Sequence, residues 1–297
     1  MLESPSRANA TEVATEKSRT LGILAGGGTL PAQVAAAARA AGRDVFIIGL
    51  EGFAEPHLLA GWPHAVIRMG AAGRILATLR AHGCQDLVLI GPVRRPSLLD
   101  MRPDAEGARI LARVGRAAFA GDDGLLAAVI RVLSEEGFRV IGAQDVLRAP
   151  LARAGVLTRA EPDAQAMADI RRGVAVVRAL GRVDVGQGCV VQQGLVLAVE
   201  AVEGTDAMLA RAAGLRRDGP GGVLVKLVKP GQDRRADLPT VGPETVRRSA
   251  AAGLRGVAFE AGGTILADAD ATLAAADAAG IFLFGLDPGT IPEGSEE

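Results

Sequence analysis

Residues 229–242 read KPGQDRRADLPTVG and gather more chemistry than any other stretch of the chain. Lys226, Lys229, Arg234 and Arg235 surround two aspartates four residues apart, Asp233 and Asp237. Lysine and arginine neutralise phosphate oxygens. Carboxylates hold magnesium, which prefers one or two of them together with phosphate oxygens and waters. An aspartate in that setting can also orient or deprotonate an attacking water. Cations interleaved with aspartates therefore suit a diphosphate ligand, with Asp233 and Asp237 as metal-holding or catalytic groups. The other reading is a solvated loop whose Arg–Asp pairs contribute little. Against it, Pro230, Gly231, Pro239 and Gly242 shape the segment in a way that a solvated loop does not need.

Three further places can touch an anion or a metal. Gly26-Gly27-Gly28-Thr29 lies where a first strand meets a first helix, so its amides can approach a phosphate. It is not a GxGxxG fingerprint, and a plain tight turn remains open. Asp122-Asp123 opens a helix, either as cap and dipole partner or as ligands for a cation or a sugar hydroxyl. Glu203-Gly204-Thr205-Asp206 follows the apolar run VLAVEAV and opens another helix, with Thr205 or Asp206 as cap or as ligand contact. Glu200, just upstream, would share a strand face with Val202, and a glutamate buried there needs a partner. His57, His64 and His82 pair with no nucleophile and are assigned surface or structural roles. No GxSxG or Walker A sequence occurs.

The elements that position these residues alternate. LGILAGGG (21–28), DVFIIGL (44–50), AVIRMG (65–70), DLVLIGPV (86–93) and FRVIGA (138–143) read as strands. PAQVAAAARAAG, AGRILATLRAHG, a region over 104–120 and DDGLLAAVIRVLSEEG read as helices. Strands separated by helices predict a parallel sheet covered on both faces. The expected class is thus α/β, with a Rossmann-like open-sheet domain over 21–150. A second α/β domain with a mixed sheet is expected over 164–297, joined by a linker at 151–163, and 1–20 reads as a disordered leader or tag. In the second domain, 189–204 predicts two strands about a turn at Gln193-Gly194. GVAFEAGGTILAD (256–268) predicts a hairpin, and GGVLVKLV a strand feeding the charged loop.

Composition narrows the classes. The chain has 297 residues, 49% of them hydrophobic, and 33 Lys+Arg against 34 Asp+Glu. That balance argues against a general nucleic-acid binder, and 3% aromatics with no tyrosine argue against base-stacking platforms. Cys84 and Cys189 lie far apart in apolar runs and read as buried free thiols of a reduced, cytoplasmic compartment. No run approaches a membrane span.

LGILAGGGTLP, GDDGLL, EGTDAML and KPGQDRRADLPTVGPETV, in this order, resemble the LpxI family of UDP-2,3-diacylglucosamine pyrophosphatases, from about Leu21 to the end of the chain. The resemblance implies hydrolysis of UDP-2,3-diacylglucosamine to lipid X and UMP, in lipid A biosynthesis, with Mg2+ as cofactor. It implies water attack on the α-phosphorus, two domains and a homodimer. The family's catalytic aspartate carries over best to Asp237, with Asp233 second. Lys226, Lys229 and Arg235 are then expected to offset charge. Gly26, Gly27, Gly28, Thr29, Asp122, Asp123, Glu203, Gly204, Thr205, Asp206, Gln232 and Thr240 are carried as substrate contacts. A lipid substrate without a membrane span implies peripheral contact with the inner membrane from the cytoplasmic side, through an exposed apolar patch. The alternatives are a Rossmann-type nucleotide-dependent enzyme and a non-catalytic nucleotide-sugar or lipid carrier.

Overall fold

The computed structural model describes residues 19–93, 102–115, 122–147, 151–235 and 238–287. The chain divides into two compact units, with the main break between Arg148 and Ala149 and with Arg235 grouped with the first unit.

The first unit alternates β1 (Thr20–Ala25), α1 (Leu30–Ala40), β2 (Val45–Leu50), the single turn α2 (Pro56–Leu59), β3 (His64–Ile67), α3 (Ala72–Ala81) and β4 (Cys84–Ile90). It continues with α4 (Ala105–Val114), α5 (Asp122–Glu135), β5 (Arg139–Val140) and α6 (Ala143–Leu147). The five strands are parallel in the order β3-β2-β1-β4-β5. Strand order reverses between β1 and β4, which is the switch point of a doubly wound sheet. β2 is buried at all six positions, as a strand covered on both faces must be. Its odd and even residues serve two cores: Ile47 packs with Val34, Ala38 and Leu59, and Ile48 with Ile75, Leu79 and Ile130. Asp104 ties two helices together. It caps α4 by accepting from Gly107 N at 2.6 Å and also accepts from Gly73 N and Arg74 N at the start of α3. His82 stacks on Phe46 with ring centroids 3.7 Å apart.

The second unit carries β6 (Gly155–Val156), α7 (Ala164–Arg182), β7 (Gly188–Gln192), β8 (Leu195–Val199), α8 (Gly204–Ala213) and β9 (Val223–Lys226). β10 (Thr240–Val241), α9 (Pro243–Ala251), β11 (Gly256–Glu260), β12 (Ile265–Leu266), α10 (Ala269–Ala279) and β13 (Phe282–Leu286) follow. Its main sheet has the order β6-β13-β11-β9-β7-β8. β13, β11 and β9 are parallel, whereas β6, β7 and β8 add antiparallel pairings, so the sheet is mixed. α7 packs on one face against Val223, Val225 and Ala258. Gly173 permits this approach, because a Cβ there would meet Val225 Cγ2 at 2.5 Å. α8, α9 and α10 cover the other face over Leu224, Val257, Phe259 and Leu283.

The hairpin expected at 189–204 forms, with Gln193 and Gly194 at φ 52° and 77°. Buried Asp169 of α7 accepts both turn amides, from Gln193 N at 3.1 Å and Gly194 N at 2.7 Å. The hairpin expected at 256–268 does not form. β11 pairs with β9 and β13, and β12 leaves to pair in parallel with β10. The reason is the connection: Gly262 takes φ 68° and donates to Ala152 O, which turns the chain out of the main sheet. Residues 151–163 run within this unit as a bridge from Leu151 to Ile265, strand β6, and the Asp163 cap of α7. Both cysteines are free and buried, and burial pushes the Cys84 thiol up to about 11 and the Cys189 thiol up to about 12. Among the described residues, no helix is long and apolar enough to cross a membrane.

One buried charge anchors the first sheet. Asp86 of β4 is fully buried and accepts from Arg43 Nη2 at 2.6 Å and from Arg139 Nε and Nη2 at 2.8 and 2.9 Å. Burial alone would raise its pKa, but the two guanidinium groups outweigh that and hold it below the ordinary carboxylate value. A depressed folded pKa stabilises above the unfolded value of about 3.9, and the benefit disappears as pH falls through the lower folded value. Asp86→Asn is therefore expected to cost about 3 kcal/mol at pH 7, as for breaking a buried ion pair. The gap to the wild type should narrow below about pH 4. Trp62, the chain's one tryptophan, lies in this unit and reports its unfolding in urea; equal midpoints at pH 7 would refute the assignment.

Candidate functional site

β9, β11 and β13 end together, and β7 begins where β9 ends, with Gly188 opposite Lys226. The carboxyl edge of the parallel strands is where open α/β sheets bind ligands. The chain enters the charged loop from this edge. Side chains alternate across a strand, so Lys226 shares the face of Leu224, under α8, while Leu227 shares the α7 face of Val225. Two polar clusters result, one on each face of the same edge.

The α8 cluster is buried. Lys226 is only 5% exposed, and its Nζ donates to Thr205 Oγ1 at 2.9 Å. Thr205, at the start of α8, donates to Glu200 Oε1 at 2.6 Å. Glu200 is 6% exposed, and its Oε2 has no hydrogen-bond partner among the described residues. Glu200 thus finds its partner in Thr205, whose hydroxyl bridges it to Lys226. Glu203 and Asp206 are exposed at the mouth of α8, where Glu203 pairs with Arg211 at 2.8 Å and Asp206 with Arg248 at 3.3 Å.

The α7 cluster holds the loop. Lys229 Nζ pairs with Asp184 Oδ1 at 2.6 Å. Pro230 lies against Gly181 of α7, where a Cβ would come within 2.9 Å of Pro230 Cδ. Buried Gln232 accepts from Lys229 N at 3.1 Å, and its own amide donates to Lys229 O. Glu260, at the end of β11, binds the loop at two points, accepting from Val228 N at 3.2 Å and from Arg234 Nη2 at 3.2 Å. Arg178, Lys229, Arg234, Glu260 and the apolar Val174 and Leu286 line one pocket there. The far end of the loop is also fixed, since Leu238 is buried and Pro239 O accepts from Ile265 N. Between these anchors stand Arg235, which is exposed, and Asp237, which lies outside the described residues. Asp233 is half-buried and Thr240 opens β10. On either side of residues 236–237 this segment is therefore braced and not merely solvated.

The remaining sequence candidates belong to the first unit. Gly26 is needed for backbone contact, because a Cβ there would lie 2.4 Å from Gly91 O. The amides of Gly26, Gly27 and Gly28 donate to Ile90 O, Pro92 O and Glu55 Oε2 respectively, and Thr29 Oγ1 accepts from Gln33. Asp122 and Asp123 form the first turn of α5, and their side chains are outside the described set. Among the described residues, no three His, Cys, Asp or Glu side chains cluster as a metal cage. Sequence reasoning missed Asp184 and Glu260. A strand that ends on a lone charged residue before AGG was the available signal for Glu260, just as VLVK was for Lys226.

Burial pushes the Glu260 carboxyl above its ordinary value, more than the Val228 amide and the Arg234 charge lower it. A raised carboxyl stabilises the fold below the unfolded pKa, and that benefit is lost as pH rises through the folded one. Glu260→Gln should thus gain stability relative to the wild type between pH 4 and pH 7. Amide hydrogen exchange in β9 and β11 measures this, and a gap that shrinks with rising pH would contradict it.

With this geometry in view, comparison with known proteins is direct. Residues 20–149 match the model of the LpxI N-terminal domain, and residues 153–284 match that of the LpxI C-terminal domain. The chain is similar to a protein of Caulobacter vibrioides named UDP-2,3-diacylglucosamine pyrophosphatase LpxI. The two are 44% identical over 276 residues, covering 91% of this chain and 98% of the relative. A two-domain match of this extent, with both the braced loop and the buried lysine inside it, places the chain in the LpxI family.

Proposed function

We propose that this protein hydrolyses UDP-2,3-diacylglucosamine to lipid X and UMP, a step in lipid A biosynthesis. The observation that carries the reading is the 44% identity across 98% of a relative that bears this activity in its name. The braced loop supports it physically. A diphosphate needs cations at fixed positions, and catalysis of phosphoryl transfer is largely positioning and charge stabilisation.

In this reading Asp237 orients the attacking water and accepts its proton. Water oxygen bonds to the α-phosphorus, the bridging P–O bond breaks in line, and the sugar 1-phosphate leaves with the bridging oxygen. Lys226, and with it Lys229 or Arg235, offsets the charge gathering on the phosphate oxygens. Asp237 and Asp233 would hold Mg2+, which when bound supplies further charge neutralisation and a template for the diphosphate. The donor set fits that ion: one or two carboxylates completed by phosphates and water suit magnesium, which does not require an all-protein cage. The contacts proposed for Gln232 and Thr240 belong to the same loop, and those for Glu203, Gly204 and Asp206 to the mouth of α8.

Homodimer formation and peripheral contact with the inner membrane complete the proposal. Supporting the latter, Val183 and Val185 precede β7 and Val202 follows β8, at the Lys226 end of the sheet. They are 69%, 44% and 97% exposed. Anionic vesicles should sediment the wild type and release a Val183→Asp, Val202→Asp variant; equal sedimentation of both would remove this contact.

Activity is tested by incubating UDP-2,3-diacylglucosamine with the wild type and Asp237→Ala, with and without Mg2+. UMP should appear with the wild type and Mg2+, and fall by at least about 100-fold in the variant, the size expected for losing an acid–base or metal-holding group. In heavy-oxygen water the label should enter UMP. Label in lipid X instead would place the attack on the other phosphorus.

A further inference from the structure

The chain writes its positive charge almost wholly as arginine: of 33 Lys+Arg, 30 are arginine, and the three lysines are Lys17, Lys226 and Lys229. Two of three lysines therefore fall three residues apart at the candidate site, and Lys226 is the more buried. A sequence that uses arginine nearly everywhere else, yet places an ammonium here, points to a position where a planar five-donor fork does not serve. The surroundings agree. Lys229 meets Asp184 and Arg234 meets Glu260 within ion-pair distance. Among the described residues, Lys226 instead meets a carboxylate only through the Thr205 hydroxyl.

That hydroxyl has one proton, and the proton is committed to Glu200. Its lone pairs are thereby turned to Lys226, so Thr205 can only accept from the ammonium. One N–H of Lys226 is fixed and two remain for other acceptors. The same chain of contacts sets a carboxylate one hydroxyl away from a buried ammonium, which offsets the cost of burying it. Glu200 occupies a prepared place. Its amide donates to Gly188 O at 2.8 Å. A Cβ on Gly188 would lie 2.7 Å from Glu200 Oε2, and one on Gly186 2.0 Å from Glu200 O. A side chain at 188 would displace the carboxylate, and one at 186 the backbone that carries it.

We propose that Glu200 is a positioning residue that acts through the Thr205 hydroxyl on Lys226, and that position 226 requires a primary ammonium. The two uncommitted N–H groups of Lys226 then meet phosphate oxygens of the diphosphate as negative charge develops. This rests on the pyrophosphatase reading above. It adds to that reading a residue that touches no substrate and a reason for the ammonium.

The test is a double-mutant cycle with kcat, KM and Tm recorded for each protein. Glu200→Gln keeps the shape and removes the charge. It should lower kcat by about 10- to 100-fold, the range typical of a group that orients a reacting residue, with KM changed less than about threefold and Tm little altered. Thr205→Val should reproduce the loss, and Thr205→Ser, which restores the hydroxyl, should recover most of it. Lys226→Arg should be no better than Lys226→Met. In the Lys226→Met background, Glu200→Gln should cost nothing further, because two residues acting as one unit are not additive. Losses that multiply in the double variant, or a Glu200→Gln enzyme with wild-type kcat, would overturn the proposal. A group that only supports the core would lower Tm and leave kcat alone. Absence of UMP release from the wild type would instead remove the pyrophosphatase reading, an outcome separate from either of these.

Discussion

The register between β9 and β11 is the constraint on which the second unit depends. Phe259 stands opposite Lys226, so Lys226 and Glu260 both reach the carboxyl edge of the sheet, one on each face. A one-residue slip would exchange the faces of every side chain on a strand. Lys226 would then enter the apolar layer formed with Ile170, Val174 and Val177 of α7, away from the Thr205 hydroxyl. The register is secured by the layers behind the edge: Val223 and Val225 bury toward α7, and Leu224 toward α8, α9 and α10. Apolar packing thus fixes where two charges stand, and the charges in turn fix the loop.

Bracing explains how a short loop can be both polar and ordered. A loop dense in charge would stay solvated if its ionic contacts were its only support, because exposed pairs contribute about 0–1 kcal/mol each. Here the support is of another kind. Gln232 and Leu238 are buried, Pro230 rests on a glycine of α7, and backbone amides at 228 and 229 find side-chain acceptors. Backbone amides must be paired when buried, so these contacts select one course for the chain through 228–234. Arg235 follows directly from that fixed course.

Much of this was legible in the amino-acid order. Alternation of apolar runs with helical periods foretold the doubly wound sheet, and Gly194 between two apolar runs foretold a turn, since glycine accepts positive φ freely. The charged loop declared itself through residue types, and Glu200 through the improbability of an unpartnered buried carboxylate. The rest depended on tertiary pairing. GVAFE and TIL look like two arms of a hairpin locally, but the strand partners of GVAFE are 223–226 and 282–286, which no short window contains. Asp184 carries no local sign of its role, since its partner Lys229 lies 45 residues away. The glycines at 26–28 illustrate the converse. Their pattern is visible, but their amides are engaged by Ile90, Pro92 and Glu55, which the local pattern does not reveal.

The scarcity of lysine has a practical side. With one lysine near the start of the chain and two at this sheet edge, reagents that acylate lysine side chains find very few targets. Lys226 is almost wholly covered and Lys229 is shielded by Asp184, so both should resist such labelling until the loop is disturbed. The protein therefore carries a built-in reporter, in which the acylation of two side chains reads out the integrity of this one edge against a background of unreactive guanidinium groups.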